Sequence, residues 1–237
     1  MKTLSILIMT VIIAVTGNAQ TDEKLNKKQQ AIIKIAAVTA KGDLVKLKTE
    51  LNSGLDSGLT VNQIKEVLVH LYAYCGFPRS IRGLQTFMTV LEERKAKGIM
   101  DTTGAEASPI KEEGSKYDRG KAVLAELTKT SQDGPKTGYS AFAPEMDTFL
   151  KEHLFADIFE RDVLTYAERE LATISVIASI GDAEPMLQAH FNISLNVGLT
   201  PGQLQEFVEI IKTILGNKEA LAAQKVLNEV LKAKKKN

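Results

Sequence analysis

The 237-residue sequence has one cysteine, Cys75, and no tryptophan. A single cysteine excludes an intramolecular disulfide and any Cys-x-x-Cys pair, so the fold must depend on its core or on self-association. Thirty lysines and arginines against 29 aspartates and glutamates leave a formal net charge of +1. Such a chain lacks the strongly basic surface with which proteins bind nucleic acid. We therefore expect no nucleic-acid partner.

Apolar runs long enough to cross a bilayer, about 20 residues, are also absent. The run at residues 4–15 is preceded by Lys2 and followed by the small residues Gly17 and Ala19. This is the pattern of a secretory signal peptide cleaved after Ala19, although a retained N-terminal anchor is the alternative. We predict an exported protein, periplasmic or secreted, with no membrane span in its mature form.

Histidine is scarce as well, with His70, His153 and His190 dispersed along the chain. None of them stands at the short spacing by which two histidines on one element bind a metal. We predict no metal site and no cofactor. Any chemistry must then come from side chains alone, acting on a small-molecule substrate.

An internal duplication is the main feature that is present. Residues 51–91 recur without a gap as residues 191–231, displaced by 140 positions. Such a fixed displacement indicates two copies of one structural unit. The identities pair Asn52, Leu55, Gly58, Leu59, Thr60, Gln63, Glu66, Gly76, Val90 and Leu91 with Asn192, Leu195, Gly198, Leu199, Thr200, Gln203, Glu206, Gly216, Val230 and Leu231.

Helix signals recur in both copies. The pairs Thr60 with Gln63 and Thr200 with Gln203 have capping-box spacing, and apolar residues follow each of them at helical intervals. No alternating run of β-branched residues indicates a strand. We predict an all-α fold built from two pseudo-symmetric repeats.

The composition also divides the chain. We assign residues 1–19 to the signal peptide, 20–97 to the first repeat and 145–237 to the second. Residues 98–144, rich in glycine, proline and polar residues at both ends, are interpreted as a linker that contains one helix.

The second repeat holds the candidate site. Residues 171–180 include no charged side chain, which predicts a helix buried on nearly all sides, with Glu170 at its start. Gly181 breaks this helix, and Asp182 is a candidate N-cap for a second helix that carries His190. In an antiparallel hairpin, Glu170 lies about 16 Å and His190 about 13 Å from the turn, because each helical residue adds 1.5 Å. The two side chains are therefore expected at the same height along the hairpin, close enough to interact.

A carboxylate beside an imidazole suits general acid–base chemistry, but it also suits a hydrogen bond that only holds the hairpin together. The repeats favour the first interpretation. With one residue of slippage near Gly42, Gln30 and Glu50 correspond to Glu170 and His190, so the pair exists in one repeat only.

The other candidates are weaker. Arg161 is either an anion-binding residue or half of a surface ion pair with Asp157 or Glu160. His70 is interpreted as a partly buried residue that could reach a cavity and bind substrate, and His153 as a surface residue. Cys75, at the end of a helix and without a partner thiol, is a poor redox nucleophile.

At these residues the chain resembles the carboxymuconolactone decarboxylase family, within the wider alkylhydroperoxidase D-like superfamily. The resemblance covers most of the mature chain. The matching residues of the second half are Phe155, Asp157, Ile158, Phe159, Arg161, Arg169, Glu170, Leu171, Ala172, Thr173, Ile174, Leu187, His190, Asn196, Val197, Gly198, Leu199 and Thr200, and those of the first half are Gly58, Leu59, Thr60, Glu66, Tyr74, Cys75, Gly76, Phe77 and Pro78.

The resemblance implies an alkylhydroperoxidase D-like helical bundle and a homo-oligomer, a homotrimer or homohexamer. It assigns Glu170 and His190 to the active site. The peroxidase branch of the superfamily has a Cys-x-x-Cys pair between these positions, whereas residues 181–185 here contain no cysteine. The decarboxylase branch lacks those cysteines and keeps the glutamate and the histidine.

We therefore predict a cofactor-independent enzyme that decarboxylates, or transfers a proton to, a small carboxylated lactone or related acid. His190 would transfer the proton, Glu170 would orient it, and Arg161 and His70 would bind substrate. Two alternatives stay open: a peroxidase-like activity that uses Cys75, and a non-catalytic oligomeric protein of the cell envelope. A cavity beside Glu170 would favour an enzyme, and a filled core would favour the last alternative.

Overall fold

The computed structural model describes residues 24–110 and 113–235. Over these residues the chain forms helices and no strand, so the all-α prediction is confirmed. The elements are α1 (Lys27–Lys41), α2 (Leu44–Asp56), α3 (Val61–His70), α4 (Tyr72–Ala96), α5 (Lys116–Thr128), α6 (Tyr139–Phe142), α7 (Pro144–Phe149), a π-helix (Leu150–Ile158), α8 (Tyr166–Ile180), α9 (Glu184–Asn196), α10 (Pro201–Leu215) and α11 (Asn217–Lys234). The predicted signal peptide, residues 1–19, lies outside the described residues.

The two repeats are visible in the order of the helices. The hairpin of α1 and α2 corresponds to that of α8 and α9. Helix α10 corresponds to α3 together with the first turn of α4, because Leu71 between them keeps helical angles of φ −66° and ψ −21°. This helical run ends at Gly76, whose φ of 79° and ψ of 160° break α4, and Gly216 ends α10 at the equivalent position. The prediction of two repeats is confirmed.

Side-chain caps fix where the repeated helices begin. Thr60, Thr165 and Thr200 each accept a hydrogen bond from the backbone three residues on, and each forms a full capping box. The prediction for Asp182 is wrong. It adopts a left-handed conformation with φ 51°, and the N-cap of α9 is Ala183, which supplies no side-chain hydrogen bond.

Helix α8 lies at the centre of the core and packs along α1. Every residue from 169 to 179 is buried, so the prediction of a helix enclosed on nearly all sides is confirmed. The main apolar cluster includes side chains from both hairpins and from α3, α4, α10 and α11. The polar residues of α8 are therefore enclosed within the core.

The helix predicted within the linker packs against the second repeat. Val123 and Leu127 of α5 contact Phe155 and neighbouring apolar residues of the π-helix. The two helices cross closely at Gly120, where a Cβ atom would collide with the backbone carbonyl of Lys151. Helix α5 thus covers the π-helix that leads to Arg161. Among the described helices, none combines the length and the apolar character that a bilayer crossing requires.

Candidate functional site

Glu170 and His190 meet between α8 and α9. Nδ1 of His190 lies 2.9 Å from Oε2 of Glu170. Glu170 is fully buried, whereas 14% of the His190 side chain is exposed. The structure thus brings together the two side chains that the helix spacing put at one level, and we call them the dyad. Their catalytic role stays a prediction.

Only the His190 half of the dyad reaches the surface. Oε1 of Glu170 is buried and has no hydrogen-bond partner among the described residues. Nε2 of His190 makes no hydrogen bond to a described residue either, and it is not one of the buried polar atoms. A buried acceptor without a partner costs about 1–3 kcal/mol, so native proteins retain few of them. The accessible imidazole nitrogen of His190 is the part of the dyad that a ligand can contact, and Oε1 of Glu170 is an acceptor that the described side chains leave unpaired.

A second polar cluster surrounds Glu66 of α3. Its carboxylate accepts hydrogen bonds from Arg161 at 2.9 Å and from the fully buried Arg169 at 2.7 Å. The prediction that Arg161 pairs with Asp157 or Glu160 is wrong. Its partner lies 95 residues away in the first repeat, and 38% of its side chain is exposed. An anion-binding role for Arg161 stays a prediction, with part of its guanidinium already bound to Glu66.

His70 lies between this cluster and the dyad. It is fully buried, so the expectation of partial burial is wrong. Its Nδ1 lies 3.4 Å from Nη1 of Arg169, and its Nε2 lies 2.8 Å from Oγ1 of Thr173. Burial, followed by the positive charges of Arg169 and His190, lowers the pKa of His70 well below 6.5. The imidazole is therefore neutral, and its role as a substrate-binding residue stays a prediction.

This lowered pKa makes stability depend on pH. Below pH 6.5 the unfolded chain binds a proton at His70 that the folded chain does not bind. The free energy of unfolding should then fall as the pH decreases, by up to about 1.4 kcal/mol per pH unit, until the folded pKa is reached. His70→Gln should reduce that slope relative to wild type in urea unfolding between pH 7.5 and 5. Equal slopes for His70→Gln and wild type would contradict the prediction.

Tyr74 is a site residue that sequence reasoning missed. Its hydroxyl lies 3.1 Å from Oγ1 of Thr173, and its ring centre lies 6.1 Å from that of His190. Tyr74 belonged to the motif of the family resemblance but received no role. A signal was present in the duplication, because the equivalent residue of the second repeat is the apolar Ile214. His153, in contrast, is a surface residue as predicted, with 53% of its side chain exposed.

The helix caps give the register of the repeats. The N-caps of α1 and α8 are Asn26 and Thr165, and the C-caps are Gly42 and Gly181, so these helices are displaced by 139 residues rather than 140. One extra residue after Gly181 restores the displacement of 140 for α2 and α9.

This register corrects the equivalence of Glu170. The residue of α1 that corresponds to it is Ala31, and Gln30 corresponds to Arg169 instead. Gln30 indeed donates a hydrogen bond of 3.0 Å to Glu206, the counterpart of Glu66. In both repeats, the first helix thus donates a hydrogen bond to a glutamate of the other repeat. The donor is the uncharged Gln30 in the first repeat and the charged Arg169 in the second. With Ala31 and Glu50 at its positions, the first repeat still lacks the dyad.

Two open clefts among the described residues lie away from the dyad. One of about 460 Å³ is lined by residues that include Glu126, Tyr166 and Asn196, and another of about 320 Å³ lies along α5. Neither includes Glu170 or His190. Since Glu170 is fully buried and His190 is partly exposed, a substrate that uses the dyad must approach from the exposed edge of His190. Among the described residues, no group of three or more His, Cys, Asp or Glu side chains is arranged to hold a metal ion.

Comparison with known proteins gives the family. Residues 8–87 and 144–229, well over half of the chain, match the model of the Carboxymuconolactone decarboxylase family. The chain belongs to this family. An uncharacterized protein of Methanocaldococcus jannaschii is 28% identical over 68 residues, which cover 29% of this chain and 64% of that relative. The family accounts for the fold and the two matched regions, and the relative's name specifies no activity.

Proposed function

We propose that this protein is a cofactor-independent enzyme that removes a carboxylate from, or transfers a proton to, a small carboxylated lactone or related acid. The observation that supports the proposal is the dyad, a buried glutamate that orients one imidazole nitrogen and leaves the other accessible. Membership of the family is consistent with a carboxy-lyase. Assembly as a homotrimer or homohexamer belongs to the same proposal.

The chemistry needs only an acid and a way to hold negative charge. When the carbon–carbon bond to the carboxylate breaks, CO2 leaves. The electron pair of the broken bond stays on the substrate and is delocalised onto the adjacent carbonyl oxygen. The carbon then takes a proton from Nε2–H of His190, which water later replaces. Glu170 accepts a hydrogen bond from Nδ1–H, keeps the ring in place and balances the positive charge of the imidazolium.

A screen for CO2 release by the purified protein tests this proposal. Small carboxylated lactones and oxo acids should include at least one substrate, and His190→Gln should abolish most of its turnover. Exchange of substrate C–H for deuterium in D2O would detect proton transfer without decarboxylation. The absence of both reactions across the screen would reject the proposal.

Peroxide reduction is the alternative that Cys75 represents. Burial raises the pKa of this thiol to about 11, and Sγ donates a hydrogen bond of 3.3 Å to the carbonyl of Leu71. The thiol is therefore protonated at neutral pH and a weak nucleophile. Cys75→Ser should change turnover less than tenfold, which is about 1.4 kcal/mol of barrier. A larger loss of turnover in Cys75→Ser, together with consumption of peroxide by the wild-type protein in a coupled assay, would favour the peroxidase instead.

A non-catalytic oligomeric protein is the second candidate, and one observation favours it. The carboxylate of Glu170 is enclosed by packed side chains, as expected for a hydrogen bond that only fastens α8 to α9. In that case replacement of either member of the dyad would change the melting temperature, and no substrate would be found. Light scattering on the same samples would report whether the oligomer depends on the dyad.

A further inference from the structure

A chain of hydrogen bonds with a fixed direction runs from Arg169 to Tyr74. Arginine only donates, so Nδ1 of His70, 3.4 Å away, must be the acceptor. The neutral ring then has its proton on Nε2 and donates it to Oγ1 of Thr173 at 2.8 Å. Thr173 in turn donates its own proton to the hydroxyl oxygen of Tyr74 at 3.1 Å.

The reverse direction is disfavoured because it leaves the hydroxyl proton of Thr173 without an acceptor. If Tyr74 donated to Thr173, the buried hydroxyl of Thr173 would have no acceptor among the described residues. A buried donor without a partner costs about 1–3 kcal/mol. The relay from Arg169 therefore leaves the proton of Tyr74 free to bind a third group.

Tyr74 is linked to the dyad through Thr173 and His190. Thr173 follows Glu170 by three residues, so both side chains lie on one face of α8. The hydroxyl of Tyr74 contacts that face at Thr173, and its ring stands edge-on to His190. Oε1 of Glu170 is the buried acceptor there that has no partner. Tyr74 thus lies beside the dyad, with its hydroxyl at the face of α8 that bears Glu170 and its ring against the imidazole of His190.

We propose that the Tyr74 hydroxyl is the hydrogen-bond donor for an oxygen of a small carboxylate bound beside His190, and for the enolate oxygen formed when that substrate loses CO2. The inference rests on the proposed function and adds an oxyanion-binding residue from the first repeat. Burial and the negative charge of Glu170 raise the pKa of Tyr74, so the hydroxyl stays a donor throughout the neutral range. A donor placed where negative charge develops is an effective way to lower such a barrier.

The duplication supports a dedicated role for this relay. His70 and Tyr74 correspond to Ile210 and Ile214 of the second repeat, which fill the same helical positions with apolar side chains. The fold therefore does not require polar groups there. The polar pair occurs only in α3 and α4, the helices of the first repeat that pack against α8.

Tyr74→Phe removes one oxygen atom and tests the inference by ligand binding. Acetate and benzoate are titrated into the full-length protein while NMR follows the imidazole signals of His190, with His153 as the internal reference. Wild type should show a saturable shift at His190 alone, and Tyr74→Phe should bind about tenfold more weakly, as expected for losing a hydrogen bond to a charged group. Tyr139→Phe is the matched control, because its side chain is exposed on α6, outside the site.

Two outcomes would overturn the inference: equal affinity in Tyr74→Phe and wild type, or no saturable shift at His190 with either carboxylate. If Tyr74→Phe fails to fold, Thr173→Val, which removes the donor that orients Tyr74, should weaken binding in the same direction, and unchanged affinity would count against the relay. CO2 release that depends on His190, together with equal binding in Tyr74→Phe, would reject Tyr74 alone and leave the proposed function intact.

Discussion

Glu170→Gln and His190→Gln should each lower turnover on the substrate found in the screen by about 10²–10⁴, the range expected for losing a general acid–base group. His190→Gln removes the proton carrier. Glu170→Gln keeps the shape and an acceptor for Nδ1–H but removes the negative charge that stabilises the imidazolium, 2.9 Å away. Glu170→Gln should keep a melting temperature near that of wild type, because it preserves the volume and an acceptor for Nδ1–H. His190→Gln should lower the melting temperature, because it leaves the buried Glu170 carboxylate without its imidazole partner, so turnover is compared at a temperature where both variants are folded.

The double variant decides whether the two residues act as one unit. If Glu170 works only through His190, the double variant should be little worse than either single one. His153→Gln is the matched control, since it makes the same substitution at an exposed histidine outside the dyad. Folded variants with full activity would contradict the catalytic role, and variants that do not fold would support a structural one.

Local periodicity accounts for what the sequence predicted well. The equal height of Glu170 and His190 along the hairpin depends only on the rise per helical residue and on a turn at Gly181, and both are local properties. The burial of α8 follows in the same way from ten residues without a charge. The repeats were visible because 41 residues recur without a gap.

The contacts between repeats could not be predicted in this way. Glu66 pairs with Arg169 across 103 residues, and no local pattern marks two such positions as neighbours. His70 and Thr173 are equally distant. The register error between Gln30 and Glu170 has a specific cause. The one-residue slippage near Gly42 was expected, but α1 was still given the displacement of 140 that holds only from α2 onward. The residues that differ between the repeats indicated where the candidate site lies, but they did not indicate which side chains contact each other there.

Glu66→Gln should destabilise the protein by about 3–5 kcal/mol, because it leaves the fully buried Arg169 without its counter-charge. Arg161 loses the same partner, but its side chain is 38% exposed and water can solvate it. The loss would appear as a lower urea midpoint with an unchanged m-value.

The duplication supplies a matched control for this variant. Glu206→Gln makes the same change at the equivalent residue, whose partners are the uncharged Gln30 side chain and the backbone N–H of Leu25. It is only half-buried, so its loss should be smaller, about 1.5–3 kcal/mol for hydrogen bonds to a charged group. Adding Arg169→Met to Glu66→Gln should recover part of the stability, since no unpaired charge is then buried. Equal losses at positions 66 and 206, with no recovery in the double variant, would show that the buried charge pair contributes no more than its neutral counterpart.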